Sequence, residues 1–403
     1  MKVDERYMAE ELDHEKSLQL FNWRAFGKTN PLENYADPAN GIVSYASGLP
    51  LALEVLGSYL SARNMVEWKI AFDKLQQIPH EKIQEKLRIS FDALDDNIKD
   101  MFLDIAFFFF GMDRGYVITI LNGCGFFAEI GISVLMSRCL LKISKNNKLM
   151  MHDLLRDMGR EIIREKYPKE PEKRSRLWFH EDVCYVLEKN KGTEAVEGVI
   201  LTLPMLKKIQ WSNKAFAGMP KLRLLRIDHV HLCGNFEFEE LSPEKLLVLD
   251  MQFSRFKTLW MDGKHFKSLK ILNLSNSKCL TKSPIFCALP MLDELLLESC
   301  TGLMELHESI GLLDELVHLN LKDCINLRYL PGSICKLKSV KHVNLIGCAK
   351  LEEFPEHLGH MESLTELLAD GTAIKQLPCS IGLLKNLRSL SLNGCNRQLT
   401  TKS

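Results

Sequence analysis

Long apolar stretches are missing from this sequence. The longest, Ile105 to Gly111, lies beside Asp104 and falls far short of the roughly twenty residues that a bilayer crossing needs, so no membrane-spanning segment is expected. The start, Met1 to Arg6, has neither the apolar core of a signal peptide nor the acid-poor character of a transit peptide, and no targeting address is expected there. A surplus of one charge is missing too. Lysine plus arginine and aspartate plus glutamate number 52 each, which gives no global pull towards phosphate backbones or anionic lipid. Neither nucleic acid nor a membrane is an expected partner. The 12 cysteines include no C-x-x-C pair, and scattered thiols without a leader fit a reducing cytosol better than a disulfide framework. What is present is ordinary for a globular chain: 403 residues, 46% apolar and 26% charged, leave room for two or three cores and argue against disorder.

The second half carries an internal repeat. Leu-x-x-Leu-x-Leu triplets start at Leu222, Leu246, Leu269, Leu292, Leu316, Val340, Leu364 and Leu387, 23 or 24 residues apart. Three residues after several triplets stands Cys300, Cys324, Cys348 or Cys395, where this repeat wants a small polar group bonding turn carbonyls inside the stack, so these cysteines read as structural. Pro331/Ile334 and Pro378/Ile381 then stop the strand. One short strand plus an irregular return cannot bury its apolar face alone. Neighbours must therefore stack into a curved solenoid with strands along its concave side, entered by a strand at Val196 to Leu203.

The first half has helical periodicity. Asp13 is placed to cap a helix carrying Leu18, Phe21 and Ala25, which Gly27 ends; Asp37-Pro38 and Pro50 open two more. Leu141 and Ile143 alternate with polar residues, Asn146-Asn147 turns, and Leu149 and Met151 return, which predicts a hairpin and, with the helices before it, a winged helix. An amphipathic helix with Leu154, Leu155, Met158 and Ile162 inward follows. The predicted class is multidomain: an all-α helical subdomain and winged helix, followed by an α/β leucine-rich-repeat solenoid (horseshoe).

Chemistry-bearing motifs are sparse. Gly27-Lys28-Thr29 invites comparison with a Walker loop, but Asn22 stands where its first Gly belongs. Gly123, Gly125 and Ala128 resemble a dinucleotide fingerprint, yet no Asp or Glu lies between Gly131 and Met151 to hold a ribose. His229, His231 and Cys233 alternate as metal ligands could, without a fourth ligand nearby, and no metal is expected. Met151-His152-Asp153 is sharper: it sits where hairpin meets helix, and the positive end of a helix favours an anion. The plainer alternative is that Asp153 caps the helix and His152 is a satisfied loop histidine.

Taken in order, Gly48-Leu49-Pro50-Leu51-Ala52-Leu53, Phe102-Leu103-Asp104-Ile105-Ala106, Met151-His152-Asp153 and repeats carrying Leu-Asn-Leu and Asp370-Gly371-Thr372-Ala373-Ile374 resemble the plant NB-ARC leucine-rich-repeat resistance proteins. The likeness is to the subclass that begins with a Toll-like (TIR) domain, and it covers essentially the whole chain. It implies an ARC1-like helical subdomain at 1–78, an ARC2-like winged helix at 79–166, a linker at 167–195 and repeats at 196–403. It also implies that Pro50, flanked by Gly48, Leu49 and Leu51, packs against an adenine ring. His152, in the switch motif Met151-His152-Asp153, would contact the terminal phosphate of ADP and hold a receptor closed. In such receptors ADP-to-ATP exchange opens the molecule, and the repeats sense a pathogen effector or a guarded host protein.

Measured against that family, the Toll-like domain and the phosphate-loop half of the nucleotide domain do not occur in this sequence. ADP or ATP is therefore expected to bind weakly at most, and neither NAD cleavage nor Walker-type ATP binding is assigned. Phe107 to Phe110 stands where the family has Cys-Phe-Phe. A truncated gene product, a fragment and a decoy-like adaptor are all open alternatives. The expected partners are proteins: an effector, a guarded host protein, or other receptor subunits. Candidate contacts alternate with the buried triplets: Asn273, Leu296, Glu298, His318, Asn320, Lys322, His342, Asn344, Ile346, Leu368 and Asp370. The expected function is a non-enzymatic segment of an intracellular immune receptor, cytoplasmic and also nuclear. The alternative is a stand-alone repeat-based binding module or decoy without nucleotide.

Overall fold

A computed structural model describes residues 11–29, 33–61, 63–77, 80–202, 214–228, 244–259, 266–395 and 400–401. The chain forms two compact units, Met1–Glu165 and Lys166–Ser403.

In the first unit, local signals set the helix ends. α1 (His14–Phe26) begins where the Asp13 carboxylate accepts the Lys16 amide at 2.8 Å and ends where Gly27 takes a φ of 66°. α2 (Ala36–Ala46) departs from the expected start: Asp37 and Pro38 lie inside its first turn, and Tyr35 holds the cap position without a side-chain bond. Proline is tolerated there because a first-turn amide has no helical acceptor. α3 (Pro50–Leu60) opens on its proline, and α4 (Met65–Gln77) and α5 (Glu81–Asp92) follow. They pack around the fully buried Trp68, whose indole N–H donates to the Leu60 carbonyl at 3.0 Å and whose ring stacks on Phe26 at 5.3 Å. Gly57 lets α3 close on α1, since a Cβ there would meet the Phe21 carbonyl at 2.9 Å. Ile83 of α5 belongs to the same core, so the division drawn between 78 and 79 separates α5 from helices it packs with.

α6 (Asp96–Asp104), capped by Asp95, runs into a π-helical turn at Ile105–Phe109. Phe108 and Phe109 are buried there and Phe107 and Phe110 half-buried, so the bulk of four consecutive phenylalanines is split between core and surface. α7 (Arg114–Gly123), α8 (Ala128–Ser137), β1 (Lys142–Ile143), β2 (Leu149–Met150) and α9 (Asp153–Lys166) complete a winged helix. β1 and β2 pair antiparallel, Lys142 opposite Met150, around Asn147 at a φ of 56°. Val117 to Leu121 lies inside α7, so Gly123 and Gly125 follow a helix where a dinucleotide loop must follow a strand. Gly27-Lys28-Thr29 is the exit of α1.

The second unit begins with β3 (Arg176–Leu177), α10 (His180–Glu188) and β4 (Gly198–Thr202). The repeats supply β5 (Leu224–Asp228), β6 (Val248–Asp250), β7 (Ile271–Asn273), β8 (Glu294–Leu296), β9 (His318–Asn320), β10 (His342–Asn344), β11 (Glu366–Leu368), β12 (Gln376–Leu377), β13 (Ser389–Ser391) and β14 (Thr400–Thr401). Ten of these form one parallel sheet in the order β13, β11, β10, β9, β8, β7, β6, β5, β4, β3, while β12 pairs with β14. Equivalent residues face each other: Leu225, Leu249, Leu272, Leu295, Leu319, Val343, Leu367 and Leu390 form one column. All are buried except Leu390 on the edge strand, which is 41% exposed. Behind them the thiols of Cys300, Cys324, Cys348 and Cys395 donate to the carbonyls of Leu274, Leu297, Leu321 and Ala369 at 3.1–3.2 Å. Ser254, Ser277 and Thr372 occupy the same place in three other repeats and are also buried.

Residues 167–195, expected as a linker, are part of this folded unit. β3 pairs with β4, and Leu177, Val183, Val186 and Leu187 enter the repeat core. The buried Arg174 donates to the Tyr167 and Pro168 carbonyls at 2.9 Å each and to Asp182 at 2.6 Å. A charged, proline-containing composition there conceals an arginine clamp. The sheet thus starts before the stretch expected to enter it. His229, His231, Cys233 and Leu203 lie outside the described residues.

Candidate functional site

Two of the motifs singled out in the sequence meet in the first unit. The exit of α2 places Ser47 and Gly48 in left-handed conformations, φ 46° and 77°, which turns the chain straight into α3. Gly48 is favoured twice over: its φ is one that L side chains rarely adopt, and a Cβ would lie 2.5 Å from the Leu12 carbonyl. Leu49 is the cap residue of α3, with no side-chain bond, and Pro50 is exposed in the first turn, with Leu51 half-buried behind it. Met151 is buried. His152 is the cap residue of α9, and its ring Nδ1 accepts the Leu154 amide at 3.1 Å. The ring Nε2 lies 3.2 Å from the Ser47 carbonyl. A carbonyl can only accept and an amide can only donate, so the pair of contacts fixes the neutral tautomer with its proton on Nε2. Asp153 does not cap; it is exposed and pairs with Arg156 at 3.3 Å.

Side chains that sequence reasoning missed surround this junction. Arg156, one turn into α9, lies over the Phe110 ring at 4.3 Å, so the phenylalanine tract supports the same helix start. Burial pushes the Tyr45 phenol well up, helped by the Asp157 charge, and its hydroxyl is buried without a partner among the described residues. Burial likewise raises Asp157, against the pull of Arg160 at 3.1 Å. The only sequence signal for these was adjacency to the two motifs.

In the second unit the residues alternating with the buried column lie side by side on the other face of the sheet. Several have structural duties. Asn273, Asn320 and Asn344 each accept, through Oδ1, the backbone amide two residues on, at 3.0–3.1 Å. Asp370 accepts the Asn393 amide and the Ser391 hydroxyl at 2.6 Å each. Glu298 is held by Asn320 at 3.2 Å and Lys322 at 3.1 Å. The rings of His318 and His342 stack at 4.6 Å and 4°, and His342 Nδ1 donates to Glu366 at 3.2 Å. Burial, then the neighbouring His342, lowers His318. Leu296, Ile346 and Leu368, expected to be exposed, are half-buried between neighbouring repeats. Glu366, Arg226, Asp228 and Asp250 share this face and were not singled out. Arg226 bonds Asp228 at 2.9 Å and stands 3.8 Å from Asp250, which burial and the Asp228 charge push up to about 6.

Comparison with known proteins agrees with this layout. A family model described as "Disease resistance protein Roq1-like, winged-helix domain" matches residues 95–167. The TMV resistance protein N of Nicotiana glutinosa is 36% identical over 326 residues, covering 76% of this chain and 28% of that protein. The disease resistance protein RUN1 of Vitis rotundifolia is 37% identical, covering 77% and 27%. The disease resistance-like protein DSC1 of Arabidopsis thaliana is 34% identical over 436 residues, covering 97% and 35%. This chain therefore spans about a third or less of the length of the relatives it matches. Within that span the chain is similar to plant disease resistance proteins at 34–37% identity, and its residues 95–167 match the winged-helix model of one such family.

Proposed function

We propose that the chain is the nucleotide-responsive and partner-sensing portion of an intracellular plant immune receptor of the Toll-like (TIR) subclass. The observation that supports this most is the bond from His152 to the Ser47 carbonyl. It joins two motifs far apart in sequence into one junction, so a change at either end is felt at the other. Pro50, exposed at the start of α3, would hold an adenine ring, and His152 would hold a terminal phosphate. When bound, ADP supplies negative charge at the capped start of α9, where helix amides favour it. His152 reaches a phosphate only by giving up its bond to Ser47, because both ring nitrogens are engaged, and that exchange of partners is what couples nucleotide to conformation.

The face of the repeat sheet recognises a pathogen effector, a guarded host protein or another receptor subunit in the cytoplasm or nucleus. The protein acts by changing shape and not by catalysis; incubation with ATP or NAD should give no product. No helix among the described residues is long and apolar enough to cross a membrane. Calorimetric titration of the folded chain with ADP tests the reading. Measurable heat is expected, weakened by His152→Ala, whereas no binding by a folded sample would contradict it.

A second reading, a repeat-based binding module without nucleotide, draws on the same ring. Its nitrogens are already satisfied within the protein, so the junction holds without a ligand. The ADP titration separates the two.

A further inference from the structure

A cleft of about 840 Å³ opens between α3, α4 and α5 in the first unit. Its lining residues are not those of the junction just described, although Glu54 and Val55 follow Pro50 by about one turn of α3. Its floor is apolar, made by Val55, Ala71, Leu75 and the Tyr59 ring. Its rim is cationic. Lys74 and Lys82 are exposed on it, and neither has an ion-pair partner among the described residues. Arg63, beside the lining residues, sits 3.9 Å over the Tyr59 ring and adds a third positive charge that reaches His80. Of the two lining carboxylates, Glu54 is held by Arg24 at 2.6 Å, which leaves Glu81 to offset three cations.

His80 forms part of the same wall, its ring edge-on to Tyr59 at 4.9 Å, and its Nδ1 is buried without a partner among the described residues. Burial holds His80 below the usual histidine range, and Lys82, Lys74 and Arg63 all act in that direction while Glu81 opposes them. Uncompensated positive charge thus converges on one cleft in a chain whose net charge is zero. An apolar floor under a cationic rim suits a ligand with a compact apolar body and a phosphate.

We propose that this cleft is a binding site for a small phosphorylated organic anion. The phosphate takes Lys74, Lys82 and the His80 ring, and the body lies on Tyr59 and Leu75. The site is independent of the nucleotide reading, because none of its residues belongs to the junction.

The test uses the full chain and phenyl phosphate, with inorganic phosphate and phenol as partial probes, read by calorimetry. Phenyl phosphate should bind more tightly than either part. Lys74→Gln with Lys82→Gln should weaken it about ten-fold or more, since one charge-assisted contact carries that factor. Removing the same charge from the hairpin, Lys145→Gln with Lys148→Gln, should leave it unchanged, as should His152→Ala. In the unaltered protein the His80 ring proton resonance should titrate at higher pH with phenyl phosphate present, because an adjacent anion favours the charged ring. Absence of binding, binding that survives the Lys74 and Lys82 changes, equal loss in the hairpin control, or a His80 titration that does not move would each overturn the proposal.

Discussion

Cys300, Cys324 and Cys348 are acceptable inside the repeats because each thiol meets a carbonyl of the preceding repeat. Burial pushes Cys300 and Cys348 up to about 12 and raises Cys324 as well, so no thiolate forms near neutral pH. Iodoacetamide should label Cys139, Cys279, Cys287 and Cys379, which are exposed, and spare the ladder until the chain is unfolded; mass spectrometry reads the sites. Ser277 holds the ladder position with a buried hydroxyl that lacks a partner among the described residues. Ser277→Cys should extend the row of thiol contacts and raise stability by about 1 kcal/mol, measured by urea unfolding. Asp250 gives a signed pH effect. Its folded pKa, about 6, lies above its ordinary 3.8, so its charge costs stability above pH 6 and the cost fades as pH falls towards 4. Asp250→Asn should therefore stabilise the protein by about 2 kcal/mol at pH 7.5, with the gain shrinking towards zero near pH 4.

At the scale of elements, signals written in neighbouring residues were legible and those made by distant partners were not. Asp13 and Gly27 bound α1 because capping needs only the adjacent turn. The leucine triplets announced the parallel sheet because every repeat buries the same face. The 167–195 segment misled because an arginine reads as solvated until the carbonyls and carboxylate that satisfy it are seen in space. Arg174→Ala would leave Asp182 without its cation and two carbonyls without their donor. It should cost about 3 kcal/mol and speed proteolysis around Tyr167. The site shows the same division. Gly48, Pro50 and His152 stood out by motif, whereas Ser47, Tyr45 and Phe110 became visible only when α2, the π-helical turn and α9 came together. Gly48→Ala should lower the melting temperature of the first unit, by a cost on the order of 1–3 kcal/mol for the strained φ alone.

At the scale of the whole chain, two different physical designs lie in one sequence. The repeat unit gains stability by adding like to like, each strand covering the last. The helical unit instead holds unlike pieces at one corner, where a single imidazole bonds the end of one helix and the start of another. A corner of that kind is suited to switching, since one competing acceptor is enough to release it. Hydrogen exchange with mass spectrometry, with and without ADP, tests this most directly. ADP should change the exchange of residues 46–51 and 152–156 together, in the unaltered protein but not in His152→Ala. Unchanged exchange in both segments at saturating ADP, or a change in one without the other, would contradict the account.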